Sequence, residues 1–438
     1  MPQSQRSPSS TASRREFLKT SAVGMATASG LPLARSAHAA GSEAIKIGML
    51  GCGGRCSGAA AQALSLGKDV KLAGMNDVFE KRMRGRKEYF KTRFPDQFIA
   101  TDETCTYGLE GYKKVIEASD AVLIACASKY HPFYAEEAVK AGKHVFVEKP
   151  HAIDPAGCRQ LKRLCELAKQ KNVSVVSGHE SRYSPAYAEM VQRIHDGAIG
   201  NIVSIQSMFL RAAYQTVARD PSLNETEYQF SNWYHFRWLS GDDVTQSLVH
   251  NLDRLRWALR EENPTWCFGL AGRSTSFGEV YGDMFDHHTV VYEFTSGVRL
   301  YALCQTRANC HSVWDDIIMG SKGVCYWADC RIEGETKWRY EGPHAPPSGI
   351  EEQQILIGAI RDGRVVNHGD TMIDSTYVAV MGQLACYCGK PVTWDQMMAA
   401  DFEFEPKLAD VRLDMDAPTK PDASGNYPLP VPGVTKYF

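Results

Sequence analysis

The sequence lacks the usual marks of a metal protein. It has no C-x-x-C pair, no His/Cys cluster at zinc-ligand spacing, and no paired His/Glu set at metal-ligand spacing. A metal is therefore not expected. It also lacks an apolar run long enough to span a membrane, since the stretch from Thr20 to Leu33 is short and rich in Ala, Gly and Ser. There is no internal repeat and no low-complexity tract. Nor is there a basic excess: 49 Lys and Arg stand against 51 Asp and Glu, a net charge of −2. That balance argues against nucleic acid or an anionic membrane surface as a partner.

At the N-terminus, Ser13-Arg14-Arg15-Glu16-Phe17-Leu18-Lys19 forms a twin-arginine signature. A mildly apolar stretch follows, then a small-residue cleavage site at Ala37-His38-Ala39. The reading is an export signal over residues 1–39, recognised by the twin-arginine machinery, and a periplasmic or otherwise exported mature chain. Cleavage after Ala39 leaves 399 of the 438 residues, about two domains, and removal of five basic residues and one acid moves the net charge to −6. All thirteen cysteines lie beyond the signal. An exported protein with that many invites disulfides. The twin-arginine route carries folded proteins, however, so the cysteines are expected as buried thiols. Cys386-Tyr387-Cys388 and Cys310-His311 are read as packing positions.

The stretch Ile45 to Ala60, IKIGMLGCGGRCSGAA, reads as strand, tight turn and helix. Gly51, Gly53 and Gly54 let the backbone approach a pyrophosphate, and the opening helix points its N–H groups at the phosphates. Cys56 occupies the third glycine position. Asp77 ends the next apolar run, where a carboxylate can hold the ribose hydroxyls of NAD. Helical and apolar segments then alternate: helices at Lys81 to Lys91, Leu109 to Ala118, His131 to Ala141 and Pro155 to Lys171, and strands at Ala121 to Cys126, His144 to Val147 and Val173 to Val176. This predicts a doubly wound parallel sheet of the Rossmann type over residues 44–178. From His179 the pattern changes. A helix from Pro185 to His195 and a strand from Asn201 to Leu210 precede a polar, loop-like region up to Ser240. A helix from Val244 to Leu259 and then strands at 289–294, 298–306, 312–319 and 323–326 predict an α+β domain with a large, mostly antiparallel open sheet over residues 179–409. Two helices, Glu351 to Arg361 and Ser375 to Tyr387, close that domain. Residues 410–438 form an irregular tail that wraps a neighbour.

The most informative stretch is Gly142-Lys143-His144-Val145-Phe146-Val147-Glu148-Lys149-Pro150. A lysine at the end of a parallel strand, followed by proline, projects towards the nicotinamide end of a cofactor bound across that edge. Burial beside a cationic ring would lower its pKa and suit it to acid–base work. The alternative is a surface Glu-Lys ion pair. With the preceding H-P-x-x-x-x-x-A-x-x-A-G helix and the glycine turn, this segment resembles the glucose-fructose oxidoreductase/inositol dehydrogenase/rhizopine-catabolism (Gfo/Idh/MocA) family. Arg182-Tyr183-Ser184-Pro185, Gly197-Ala198-Ile199-Gly200 and His250-Asn251-Leu252-Asp253 match family motifs in order and spacing.

The resemblance implies an enzyme binding NAD, or NADP, tightly in the N-terminal domain. It also implies a homo-oligomer, dimer or tetramer, and a sugar, glycoside or polyol substrate. Carried over by motif, the cofactor residues are Gly51, Gly53, Gly54, Arg55, Asp77, Ser128, His131, Glu148, Lys149 and Glu180. The catalytic pair is Lys149 and His250. Substrate contacts fall on Arg182, Tyr183, Asn232, Trp233, Gln246, His250 and His287. Many family members carry an acid four residues before the helix histidine; this chain has Gln246, which cannot stabilise an imidazolium. Asn232-Trp233-Tyr234 and Arg237-Trp238 suit a carbohydrate-stacking wall, and equally a core or interface. Asp77 favours NAD over NADP, softened by Lys81 and Arg82 nearby. Two other readings stay open. One is a redox-neutral glycosidase, using Tyr183 or His287 as the elimination base. The other is a non-enzymatic sugar-binding module.

Overall fold

The computed structural model describes residues 44–342 and 349–438, so the twin-arginine segment lies outside the described residues. The N-terminal sheet is built from β1 (Ile45–Leu50), β2 (Val70–Asp77), β3 (Cys105–Tyr107), β4 (Ala121–Ile124), β5 (His144–Val147) and β6 (Val175–Ser177). All are parallel, in the order β3-β2-β1-β4-β5-β6. The strand order reverses between β1 and β4, which opens a crevice at their carboxyl ends. The central strands are continuous apolar runs because helices cover both faces. Those helices are α1 (Gly54–Ser65), α2 (Glu80–Arg93), α3 (Tyr112–Ala118), α4 (His131–Lys140) and α5 (Pro155–Lys171). α5 has a full set of signals: Asp154 Oδ1 accepts the Gly157 N–H at 2.8 Å, Pro155 opens the helix, and Asn172 closes it in the left-handed region at φ 60°.

The second sheet has nine strands: β7 (Ile202–Arg211), β8 (Pro264–Gly272), β9 (His287–Phe294), β10 (Arg299–Thr306), β11 (Val313–Gly320), β12 (Gly323–Tyr326), β13 (Arg331–Gly334), β14 (Trp338–Arg339) and β15 (Val392–Thr393). It is antiparallel except where β10 runs parallel to β7. The same part of the chain forms α6 (Pro185–His195), α7 (Glu225–Ser231), α8 (Val249–Ala258), α9 (Ile350–Arg361) and α10 (Gly369–Cys388), of which α8 and α10 lie against one face of this sheet. Two expectations need correcting. The loop-like region contains α7, whose capping box pairs Asn224 with Glu227. And α9 does not close the second domain: Leu356, Ile357 and Ile360 are buried with Met49, Ala59 and Phe146 in the core of the first sheet.

The tail folds back on its own chain. The Thr226 hydroxyl donates to Met415 O at 2.8 Å, Gln229 Nε2 to Thr419 O at 2.7 Å, and the Tyr427 hydroxyl to Glu225 at 2.6 Å. These bonds strap the tail over α7, beside the cleft described below. All thirteen cysteines are free. Cys386 and Cys388 are buried as expected, but Cys310 is exposed.

Candidate active site

The crevice begins at the turn after β1. Gly51 has φ +101°, and a Cβ there would lie 2.4 Å from the Ala125 carbonyl oxygen. Only glycine lets β1 pass the β4 loop so closely. Gly53 and Gly54 differ: a Cβ at either would meet nothing within 4 Å. α1 opens with no side-chain cap, so its first N–H groups point free into that space, a cradle for an anion. Asp77, 8 % exposed, closes the other side; its Oδ2 accepts the Cys52 N–H at 2.8 Å and its Oδ1 the Phe79 N–H at 3.0 Å. Gly51, Gly53, Gly54, Arg55 and Asp77 line one crevice with Trp233 and Tyr234. A free helix terminus, two side-chain-free positions and a strand-end carboxylate fit a dinucleotide's pyrophosphate and ribose.

The crevice opens into a cleft of about 760 Å³ lined by Gly53, Gly54, Arg82, Lys149, Arg211, Tyr214, Asn232, Trp233 and Tyr234. Its wall is a ladder of rings. Trp233 stacks on Tyr234 with centroids 4.0 Å apart, Tyr234 on Tyr214 at 5.0 Å, and the Arg211 guanidinium lies 4.4 Å from the Tyr214 ring. Lys149 Nζ donates to the Gln246 carbonyl at 2.9 Å. Burial pushes the Lys149 pKa down, against the pull of Glu148 and Glu180. His250, near the start of α8, sits edge-on to Phe209 and Trp314, with Nδ1 free of any hydrogen bond. Burial, then the nearby Lys149 charge, holds its pKa well below 6.5, so its imidazole is neutral at neutral pH. Arg55 pairs with Glu148 and, at 2.6 Å, with Glu352 of α9. Glu180 stands beside this group; burial and then Glu148 raise its pKa.

Several expected contacts are instead spent on structure. The Arg182 guanidinium holds both carboxylate oxygens of Asp253, at 3.0 and 2.8 Å, and Glu261 at 2.7 Å. The Tyr183 hydroxyl donates to Ser177 O at 2.6 Å and meets His368 Nδ1 at 3.0 Å. The Asn232 side-chain amide is engaged within the fold, donating to Val280 O at 2.8 Å and accepting the Val217 N–H at 3.0 Å. His287 lies on β9 away from the cleft, its Nδ1 2.7 Å from Asp286. Ser128 is fully buried and accepts from Gln246 Nε2 at 2.7 Å, while that same nitrogen donates to Ser240 O at 2.9 Å. His131 uses Nδ1 on Pro150 O at 2.7 Å and Nε2 on the Cys126 backbone. Ser128, His131 and Gln246 are thus bonded into the framework that holds the Lys149 loop.

The sequence reading missed Arg211, Tyr214, Glu352 and Asp253. Only Asp253 carried a signal: it is three residues after His250, hence on the same helix face.

Residues 45–179 match the family model described as an oxidoreductase family with an NAD-binding Rossmann fold, and residues 187–326 match the model of the GFO/IDH/MocA C-terminal domain. The chain belongs to the Gfo/Idh/MocA family. Among curated relatives, this Gfo/Idh/MocA chain is 26 % identical over 220 residues to an inositol 2-dehydrogenase of Acidothermus cellulolyticus, spanning 50 % of this chain and 55 % of that protein. It is 24 % identical over 294 residues to the inositol 2-dehydrogenase of Burkholderia cenocepacia, covering 65 % and 74 %. Among solved structures, the scyllo-inositol dehydrogenase of Lactobacillus casei with NAD(H) and scyllo-inositol superposes with a TM-score of 0.60 at 19 % identity, over 80 % of this chain and 99 % of that one. The aldose-aldose oxidoreductase of Caulobacter crescentus gives 0.61 at 19 %, over 80 % and 100 %. These two show a shared fold.

Proposed function

We propose that the protein is an NAD-dependent dehydrogenase of a polyol or sugar. The observation that carries this is the continuity of the glycine cradle with a cleft holding Lys149, next to a neutral His250. The bound dinucleotide would supply hydride acceptance and return. Gly53, Gly54 and the α1 N-terminus would hold its phosphates and Asp77 its ribose, with NAD preferred because a second anion beside Asp77 is repelled. The chain's own part is the proton. Lys149, fixed by the Gln246 carbonyl and with a lowered pKa, orients the substrate hydroxyl. The neutral imidazole of His250 takes the hydroxyl proton as the carbinol carbon is oxidised. The Trp233–Tyr234–Tyr214 ladder offers an apolar face to the ring of a polyol.

Reduction of NAD+, followed at 340 nm against inositols, other polyols and aldoses, tests this. Turnover should fall about 10²-fold or more in Lys149→Ala and His250→Ala. Release of free sugar from a glycoside without net reduction would favour the glycosidase reading instead. That reading is weakened because Tyr183 and His287, its candidate bases, are engaged elsewhere.

The reading extends to an exported protein, on the twin-arginine signature, and to a homo-oligomer. For the oligomer the support is the open face of the second sheet. Phe268, Val291 and Tyr301 form one cross-strand row, with Leu270 and Leu303 along the next row on that face. Leu270 is 69 % exposed and Tyr301 41 %. Light scattering should show Leu270→Asp shifting the protein to monomer; an unchanged mass would refute this interface.

A further inference from the structure

We propose that Asp243, His288 and Cys304 form a binding site for one divalent transition-metal ion of the zinc type. Each offers one ligand atom, and these atoms lie within 4.8 Å of one another. His288 on β9 and Cys304 on β10 are direct cross-strand partners, and Asp243 immediately precedes the helical turn Val244–Leu248 that covers them. The three are far apart in the sequence. A search for ligand spacing along the chain therefore finds nothing, and the absence of metal expected from the sequence does not extend to this cluster.

The three side chains are 0 %, 2 % and 1 % exposed, yet Asp243 Oδ2 and His288 Nδ1 have no hydrogen-bond partner. The other polar atoms of the carboxylate and the imidazole are placed. The Tyr214 hydroxyl donates to Asp243 Oδ1 at 2.6 Å, and Gln383 Nε2 lies 3.1 Å from His288 Nε2. A second carboxylate, Asp242, has Oδ1 3.6 Å from that nitrogen. Among the described residues no Lys or Arg forms an ion pair with Asp243. Leaving a buried carboxylate oxygen and a ring nitrogen both unmatched is costly, and a dication answers both at once. The donor set narrows the ion. One sulfur, one imidazole nitrogen and one carboxylate oxygen suit zinc or cobalt, whereas magnesium and calcium take all-oxygen shells.

Binding is a ligand exchange without redox change. A metal–sulfur bond forms, the Cys304 S–H bond breaks, and the proton leaves to solvent. The two anions then neutralise the dication inside the fold. The consequence reaches the cleft through Tyr214, whose ring lines it and whose hydroxyl rests on Asp243. It also reaches the turn whose Gln246 carbonyl holds Lys149. The ion would pin this turn to β9 and β10.

The test uses the full chain carrying Cys310→Ser, to remove the exposed thiol, stripped with a chelator and titrated with Co2+ alone. The expected result is one Co2+ per chain, with a thiolate-to-cobalt charge-transfer band in the near ultraviolet and ligand-field bands of a four-coordinate ion. Cys304→Ser should abolish the charge-transfer band. Asp243→Asn should weaken binding roughly 100-fold or more, beyond the 10–100-fold that losing an outer partner costs. Circular dichroism of each stripped variant separates loss of site from loss of fold. Two results overturn the proposal: no stoichiometric cobalt in the folded parent, or a charge-transfer band that persists in folded Cys304→Ser. Neither depends on dinucleotide binding or turnover.

Discussion

Glycines in one short turn do different work. At Gly51 the backbone itself is constrained, by φ +101° and the Ala125 carbonyl 2.4 Å from a would-be Cβ. Gly51→Ala should therefore destabilise the fold by about 2 kcal/mol or more in urea unfolding. At Gly54 the protein leaves room that it does not fill. Gly54→Ala should leave stability unchanged or raised by about 0.5 kcal/mol, the gain of alanine in a helix, while occupying ligand space. Arg182 and His250, each from a family motif, separate as clearly. Arg182→Ala leaves Asp253, 1 % exposed, with the Ser375 hydroxyl at 2.7 Å and His179 Nδ1 at 3.1 Å but no permanent cation bonded to it, and should cost about 2–3 kcal/mol of stability. His250→Ala, at a ring nitrogen with no partner to strand, should lower kcat with the melting temperature nearly kept. The sequence motifs located both positions, but motif spacing does not distinguish an arginine facing substrate from one locked to a carboxylate brought from α8. That needs the packing of α6 against α8.

At the level of elements, regular periodicity was the readable part. α5 and α6 begin and end where proline and the apolar spacing place them. The turn Val244–Leu248 was not readable, because its π geometry carries no Pro or Gly signal. It changes what Gln246 does. The expected position, one α-turn before His250 and facing substrate, gives way to a buried one where Nε2 serves Ser128 and Ser240 and the carbonyl serves Lys149. Restoring the family's acid at this place should fail. Gln246→Glu loses both donations and sets a carboxylate against the Ser240 carbonyl, so it should destabilise by about 1–3 kcal/mol and raise KM, measured by urea unfolding and steady-state kinetics. Recovery of higher activity in this variant would show that the side chain turns to substrate. α9 makes the parallel point for topology: its amphipathic pattern was visible, but not that its buried face belongs to the first sheet.

For the whole molecule, buried neutral histidines set the response to acid. Burial lowers the His235 pKa to about 4, and it lowers those of His131, His151 and His250 as well. A histidine with a depressed folded pKa binds its proton more readily when unfolded. Its stabilising share is present above the unfolded value near 6.5 and is lost as pH falls through the folded one. For His235, 4 % exposed, that share is about 3 kcal/mol across the window from about 6.5 to 4. The melting temperature should fall steeply over that window, and less steeply in His235→Gln. The same physics keeps His250 unprotonated at neutral pH. The acid limb of kcat/KM for oxidation should therefore lie below pH 6.5.

The dehydrogenase activity depends on a dinucleotide lying in the crevice between Gly54 and Asp77. Calorimetric titration of NAD+ into the wild type and Gly54→Ala tests this most directly. The account predicts one site per chain in the wild type and at least tenfold weaker binding in a variant of unchanged melting temperature, the cost of about 1.4 kcal/mol expected of a methyl group in a ligand's place. A wild type that binds no dinucleotide, or a variant that binds it equally well, would contradict it.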